Sequence, residues 1–254
     1  MLDTSDGTSN GLGMAQTAPC TYLETFDQHT GGWWGWGGNH LGLQPLVREN
    51  GVVTSRSPWW IDYNHAPPGA GYIHMLFSLN LRGPFSDHHK EIAGPNPFAE
   101  QKYPLDFTHA RVSVRVRGEL ELKGAQLVLL VQGRVGETVS GWLLTGQPIA
   151  VGPEWSEQTI VATPDESQWT CLKARHDRQD FYGFHPLRTI LSNVNVNIML
   201  VLFPLEIHPM GEIRGDPHLL RAGRDYPVWT SRLPEGYVQL DPVRIDFAAG
   251  AAAP

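Results

Sequence analysis

Five tryptophans crowd into two short stretches of the chain: Trp33, Trp34 and Trp36, then Trp59 and Trp60. An indole offers a flat face that stacks on the C–H face of a sugar ring, and an N–H that reaches a hydroxyl. The same indoles also fill hydrophobic cores, and each one taken singly reads first as a core residue. Adjacent residues of a strand point to opposite faces. Trp33 and Trp34 therefore cannot both face one core if they are extended, and neither can Trp59 and Trp60. The five together imply at least one indole that faces a ligand.

The second stretch runs on through Asp62, Asn64 and His65, past Pro67, Pro68, Gly69 and Gly71, to Tyr72 and His74. A carboxylate, an amide and two imidazoles in so short a span permit two chemistries. They can hydrogen-bond ligand hydroxyls at a rim. Alternatively Asp62 with His65 or His74 forms an acid/base pair, the carboxylate orienting an imidazole near neutral pH. An Asx turn with a satisfied loop histidine is the third reading, and the sequence leaves all three open.

Other chemistries find less support. The 11 histidines include a tight group, Asp87, His88 and His89 with Glu91, but no His-x-His or His-x3-His spacing for a transition metal. The 2 cysteines, Cys20 and Cys171, show no zinc spacing and read first as free or buried thiols of a reducing compartment, with a single disulfide as the lesser alternative. Nucleophile elbow, dinucleotide fingerprint, phosphate loop and HExxH motif are all missing, so no nucleotide cofactor is implied.

The elements that must position these residues are strands. Of 254 residues, 27 are Gly and 20 are Pro, which leaves little room for long helices. At 41% hydrophobic and 18% charged the chain can build a core. A net charge of −7 without a basic block argues against nucleic acid as a partner, and no apolar run approaches the ~20 residues of a membrane helix. The start of the chain lacks the basic-then-apolar order of a secretory signal, so a cytoplasmic location is expected. Residues 1–20 read as a flexible leader, with Met14 an alternative start, and residues 248–254 as a disordered tail.

Between them, residues 21–247 alternate with period two. Val112, Val114 and Val116 share one face, and Val194, Val196 and Ile198 another, while 125–131 is apolar on both faces. In 71–79 the odd positions, Ile73 to Leu79, are expected to face the core, and Tyr72 and His74 to face away. Arg115, Arg117, Asn193, Asn195, Asn197 and Gln132 join those outward residues as a polar face suited to polyols. Asn is depleted in strands, which favours a functional face over an ordinary wet one. Pro242 implies an edge strand or a bulge. One short helix is expected within 184–191. The stretches 81–104 and 208–233 read as long loops. The architecture expected is an all-β antiparallel sandwich of jelly-roll type, with two long insertions and at most one or two short helices.

Three segments carry a resemblance: residues 23–27 (Leu-Glu-Thr-Phe-Asp), residues 31–36 (Gly-Gly-Trp-Trp-Gly-Trp) and residues 238–245 with Asp241. Together with the strand at 105–114, they resemble carbohydrate-binding modules with a galactose-binding-domain-like jelly roll. The resemblance implies a carbohydrate ligand held by the tryptophans and the polar face. It also implies a structural Ca²⁺ between first and last strands, for which the matching oxygens here are Glu24, Asp27 and Asp241. The alternatives are a lyase or hydrolase acting on a sugar or glycoside through Asp62, His65 and His74, and an assembly protein, with a homo-oligomer left open.

Overall fold

The computed structural model describes residues 20–37, 43–62, 72–82, 90–173, 180–206 and 233–248. The sequence expectations for the leader, the tail, Asn64, His65, Asp87, His88 and His89 lie outside the described residues, as does the side chain of Asp62. Two antiparallel sheets make up the fold. The smaller has the order β11 (Ser156–Val161), β8 (Arg111–Glu121), β14 (Glu235–Asp246), β5 (Val52–Arg56), β4 (Val47–Glu49), with β1 (Thr21–Glu24) also on β14. The larger has the order β12 (Thr170–Cys171), β10 (Thr138–Leu143), β9 (Gln126–Val135), β13 (Asn197–Leu205), β7 (Tyr72–Asn80), β2 (Trp33–Trp36), β3 (Leu43–Gln44). A further strand, β6 (Ile61–Asp62), pairs with β7.

The main core lies between the sheets. The smaller sheet contributes Val112, Val114, Val116, Val238, Leu240, Val243 and Ile245. From the larger come Leu127, Leu129, Val131, Ile198, Leu200 and Leu202. Period-two alternation with one wet face explains β8: its valines are buried while Arg111 is exposed and Ser113, Arg115 and Arg117 are half-buried. Val194 is buried as expected, but Val196 is only half-buried, because β13 begins one residue later, at Asn197.

The central strands of the larger sheet are buried on both faces. Ile73, Met75, Val128, Leu130, Leu143, Met199, Val201 and Phe203 form a second apolar cluster on the face turned away from the main core. This reverses the expectation for β7. Tyr72 belongs to the main core, and Ile73 and Met75 to the outer cluster. His74 stands level with Leu202 on the inner side. The phase shifts again at Leu76, where a register irregularity lets both Leu76 and Phe77 pack inward.

Pro242 sits in a central strand, at a register shift between Leu240 and Val243 that separates the stretch of β14 paired with β5 from that paired with β1. Of the alternatives read from the sequence, the bulge is the one realised. Three short α-helices occur among the described residues. Leu187–Leu191 matches the expected position, whereas Lys90–Ala93 and Pro97–Glu100 fall in a stretch read as loop. The second of these is capped by Asn96, whose side chain accepts from the Ala99 N–H at 3.1 Å, with Pro97 in the first turn.

Candidate functional site

The tryptophans divide between the faces of the larger sheet. Trp33 points into the main core and donates from Nε1 to the Tyr22 hydroxyl at 3.2 Å. Trp59 is also a core residue and donates to Ser55 Oγ at 2.9 Å. Trp34, Trp36 and Trp60 form a separate stack: ring centroids lie 5.3 Å apart for Trp34 and Trp36, and 4.9 Å apart at 30° for Trp36 and Trp60. Trp34 is buried, whereas Trp36 and Trp60 are half-buried against the outer apolar cluster. Among the described residues nothing accepts from Trp36 Nε1.

Trp36 lines a solvent-open pocket of about 370 Å³ at the edge of the sandwich, where β2 and β3 meet β4 and β5. That volume is in the range of small-molecule sites. Its polar lining is Gln44, Glu49, Thr54, Arg56 and Gln239; Leu46, Pro45 and Val47 supply apolar wall. Gly35 keeps one wall thin, since a methyl group there would stand 3.0 Å from the Leu76 carbonyl oxygen. Four of the polar residues follow from alternation: Glu49, Thr54, Arg56 and Gln239 are outward positions of β4, β5 and β14, interleaved with buried Val53, Val238 and Leu240. The sequence reading missed these residues. They come from separate strands, and the only local signal was a polar alternate position.

The residues expected to form one polar face do not share one. Tyr72 and His74 face the core. His74 is 1% exposed, with Nδ1 3.1 Å from the Trp60 carbonyl oxygen and its ring 5.9 Å from that of Trp59. Burial lowers its pKa to about 4, partly opposed by the Trp60 carbonyl. The imidazole is thus neutral and sequestered, placed for packing rather than proton transfer to a ligand. Arg115 and Arg117 lie on the smaller sheet, on its outer face. Asn193 is exposed in the turn after a helix, and the Asn195 amide holds Arg134, accepting from its N–H at 2.7 Å and donating to its carbonyl at 3.1 Å.

Asn197 and Gln132 do pair across β13 and β9 on the outer face of the larger sheet, in one row with Asn80. These side chains and Ser78 are buried, and among the described residues Gln132 Nε2, Asn197 Oδ1 and Ser78 Oγ have no hydrogen-bond partner. Trp34 is level with Ser78, which links this row to the indole stack. The pocket, unlike the row, opens to solvent.

The three carboxylates implied for Ca²⁺ lie near one another, since the Asp27 charge acts on both Glu24 and Asp241, and Glu24 and Asp241 have protein partners. Glu24 Oε1 accepts from the Phe26 N–H at 2.8 Å, and burial pushes its carboxyl pKa up. Asp241 faces Arg115 at 3.3 Å. The backbone oxygens of Phe26 and Asp27, which a cation would need, already accept from Arg48 Nη1 at 3.3 and 3.1 Å. A guanidinium thus stands against this turn. No group of three or more His, Cys, Asp or Glu able to hold a metal occurs among the described residues. The melting temperature is accordingly expected to stay unchanged through EGTA treatment and then millimolar Ca²⁺. Arg48→Ala should cost about 1 kcal/mol in urea unfolding. A Ca²⁺-dependent rise of several degrees would contradict this assignment.

No family model matches the chain, and no curated protein matches it. Three solved structures are similar over most of the chain, at low identity and low TM-score. The L4b domain of human laminin alpha-2 is 9% identical at a TM-score of 0.40, over 90% of this chain and 97% of that one. CtCBM11, the subject of a solution structure with binding studies, is 11% identical at a TM-score of 0.36, over 92% and 99%. A structure reported with work on endo-acting O-glycanases of the human gut microbiota is 11% identical at a TM-score of 0.34, over 89% and 98%. Likeness at this level identifies no ligand.

Proposed function

We propose that the protein is a carbohydrate-binding domain whose ligand enters the edge pocket and stacks on Trp36. The observation that carries this reading is the lining of that pocket. It combines one indole, a short apolar wall, and hydroxyl, amide, carboxylate and guanidinium groups drawn from four strands. Such a mixture suits a ring with apolar C–H faces and a periphery of hydroxyls, each of which donates and accepts. It suits a purely apolar ligand poorly, because such a ligand would displace water from these polar groups without replacing its hydrogen bonds.

The test is glycan-array screening followed by isothermal titration of any hit. Trp36→Ala should weaken binding at least about tenfold, because losing a stacking contact of this kind costs about 1.4 kcal/mol or more. Phe184→Ala, at an exposed ring that contacts Trp142 and lies outside the pocket, should leave affinity unchanged. A folded protein that binds no glycan, or a Trp36→Ala variant with wild-type affinity, would refute the reading.

A further inference from the structure

The pocket does not end at its own rim. Thr54 and Gln239, two of its lining residues, lie in register with Arg117 across the outer face of the smaller sheet: Thr54 on β5, Gln239 on β14, Arg117 on β8. Their side chains form a continuous chain of hydrogen bonds. Arg117 Nε donates to Gln239 Oε1 at 2.7 Å, and Gln239 Nε2 donates to Thr54 Oγ1 at 3.1 Å. Beyond Arg117 stands Trp155, at the start of β11, with the guanidinium carbons of both Arg115 and Arg117 at 4.6 Å from its ring centroid. From Thr54 to β11 is three strand spacings, roughly 14 Å, a stretch longer than a single pyranose ring. An aromatic ring thus marks each end of a polar track.

Two of the arginines on this track are uncompensated. Arg115 is paired with Asp241, but Arg56 and Arg117 make no ion pair with any carboxylate among the described residues. Arg117 uses only Nε in a hydrogen bond, and Arg56 rests on the Tyr237 ring at 4.8 Å with none of its N–H groups bonded. A guanidinium carries five donors in a planar fork that matches a carboxylate or sulfate bidentately. Stacking on Trp155 and Tyr237 holds these forks in place before a ligand arrives. The same face also carries exposed carboxylates: Glu157 opposite Arg115, Glu119 and Glu121 further along β8, Glu235 opposite Glu121, and Glu49 at the pocket. Among these carboxylates, Arg56 and Arg117 are guanidinium forks without an ion-pair partner among the described residues, and an anionic group would gain more from them than a neutral hydroxyl.

We infer that the ligand is an anionic oligosaccharide. One ring sits in the edge pocket on Trp36. The chain runs over Thr54 and Gln239, and its acidic groups meet Arg56 and Arg117. This rests on the reading of the pocket as a carbohydrate site and narrows it to sugars bearing carboxylate or sulfate. Carboxylate and sulfate present the same two-oxygen edge to a guanidinium, and either source satisfies the geometry.

Isothermal titration with three oligomers of matched length decides the matter: an oligogalacturonate, a sulfated galactan and a neutral galactan. The acidic oligomers should bind about tenfold more tightly than the neutral one in low salt, and that advantage should collapse in 0.5 M NaCl, where screening is strong. R117Q should remove most of the acidic preference while leaving affinity for the neutral oligomer unchanged; R56Q, at the pocket wall, should lower affinity for the acidic oligomers about tenfold more than for the neutral one. A preference for galacturonate alone assigns the acid as carboxylate, and a preference for the sulfated galactan alone assigns it as sulfate. Equal affinity for neutral and acidic oligomers, with W36A still abolishing binding, would overturn the inference and spare the pocket reading. An acidic preference that survives both arginine variants would also overturn it. Binding of none of the three, together with an empty glycan array, would remove both.

Discussion

Trp33→Ala is expected to destabilise the protein by about 4 kcal/mol, in the range for removing a large buried aromatic side chain. Trp36→Ala, three residues on, should cost far less. The two indoles differ in what surrounds them. Trp33 is 2% exposed and joins the two sheets, since it stands on β2 of the larger and donates to Tyr22 on β1 of the smaller. Tyr22 in turn packs edge-on against Phe98 at 5.1 Å and Tyr103 at 5.3 Å, and Phe98 continues to Phe107 and Phe247. Removing Trp33 opens a cavity at one end of that aromatic chain and orphans the Tyr22 hydroxyl. Trp36 is half-buried at a pocket rim, where solvent can refill the space. Urea unfolding of both variants checks the contrast. For a chain of this length, 4 kcal/mol lowers the melting temperature by roughly 10 °C. Trp33→Phe, which keeps a ring and loses the N–H, should recover most of the loss. A Trp33→Ala cost below about 1 kcal/mol would refute the bridging role.

How much of this was legible depended on whether a strand has one wet face. In β8 and β14 it does. The alternation of β8 placed its valines inward and Arg115 and Arg117 outward, because exposing an apolar row to water fixes the register. In β7 it does not. Ile73 and Met75 are as deeply buried as Tyr72 and His74, so hydrophobicity carries no phase information. The choice of Ile73 over His74 for the core followed polarity, and the structure reversed it. A histidine that gives its Nδ1 a backbone partner is accommodated in a core as readily as an isoleucine.

The candidate site was legible only in its aromatic component. The rule that neighbours on a strand point apart separated Trp33 from Trp34, and it explains why Trp36 shares a side with Trp34. The remaining pocket residues converge from β3, β4, β5 and β14, elements separated by up to nearly two hundred positions in the chain. No local spacing encodes such a meeting; it arises from the order of strands in the smaller sheet. The partners of the carboxylates implied for Ca²⁺ were hidden for a related reason. The carboxylates were visible in the sequence, but Arg48, which reaches the same turn from β4, was not visible as their neighbour.

Acid should weaken the fold through His74. Its pKa is about 4 in the folded protein and about 6.5 when unfolded, because burial penalises the imidazolium more than the Trp60 carbonyl favours it. Between those values the unfolded chain takes up a proton that the folded chain refuses, so stability falls as pH drops from 6.5 towards 4. A separation of about 2.5 between 6.5 and about 4 corresponds to about 3 kcal/mol, complete only below pH 4. Glu24 acts in the opposite sense. Its carboxyl pKa is raised by burial, so its contribution is greatest in acid and is lost as pH rises through the folded value. The acid limb therefore contains the histidine's loss, reduced by the glutamate's gain, beside the loss from Asp246, whose carboxyl Arg244 holds below its ordinary pKa. His74→Phe removes the first and keeps the second. Unfolding free energies measured at pH 7 and pH 4.5 for wild type and for His74→Phe isolate the difference, because every other titrating group is common to both. The wild type should lose about 2–3 kcal/mol more than the variant between the two pH values. Equal losses would show that the imidazole ionises without cost, which a ring enclosed between Trp59 and the Trp60 carbonyl does not permit.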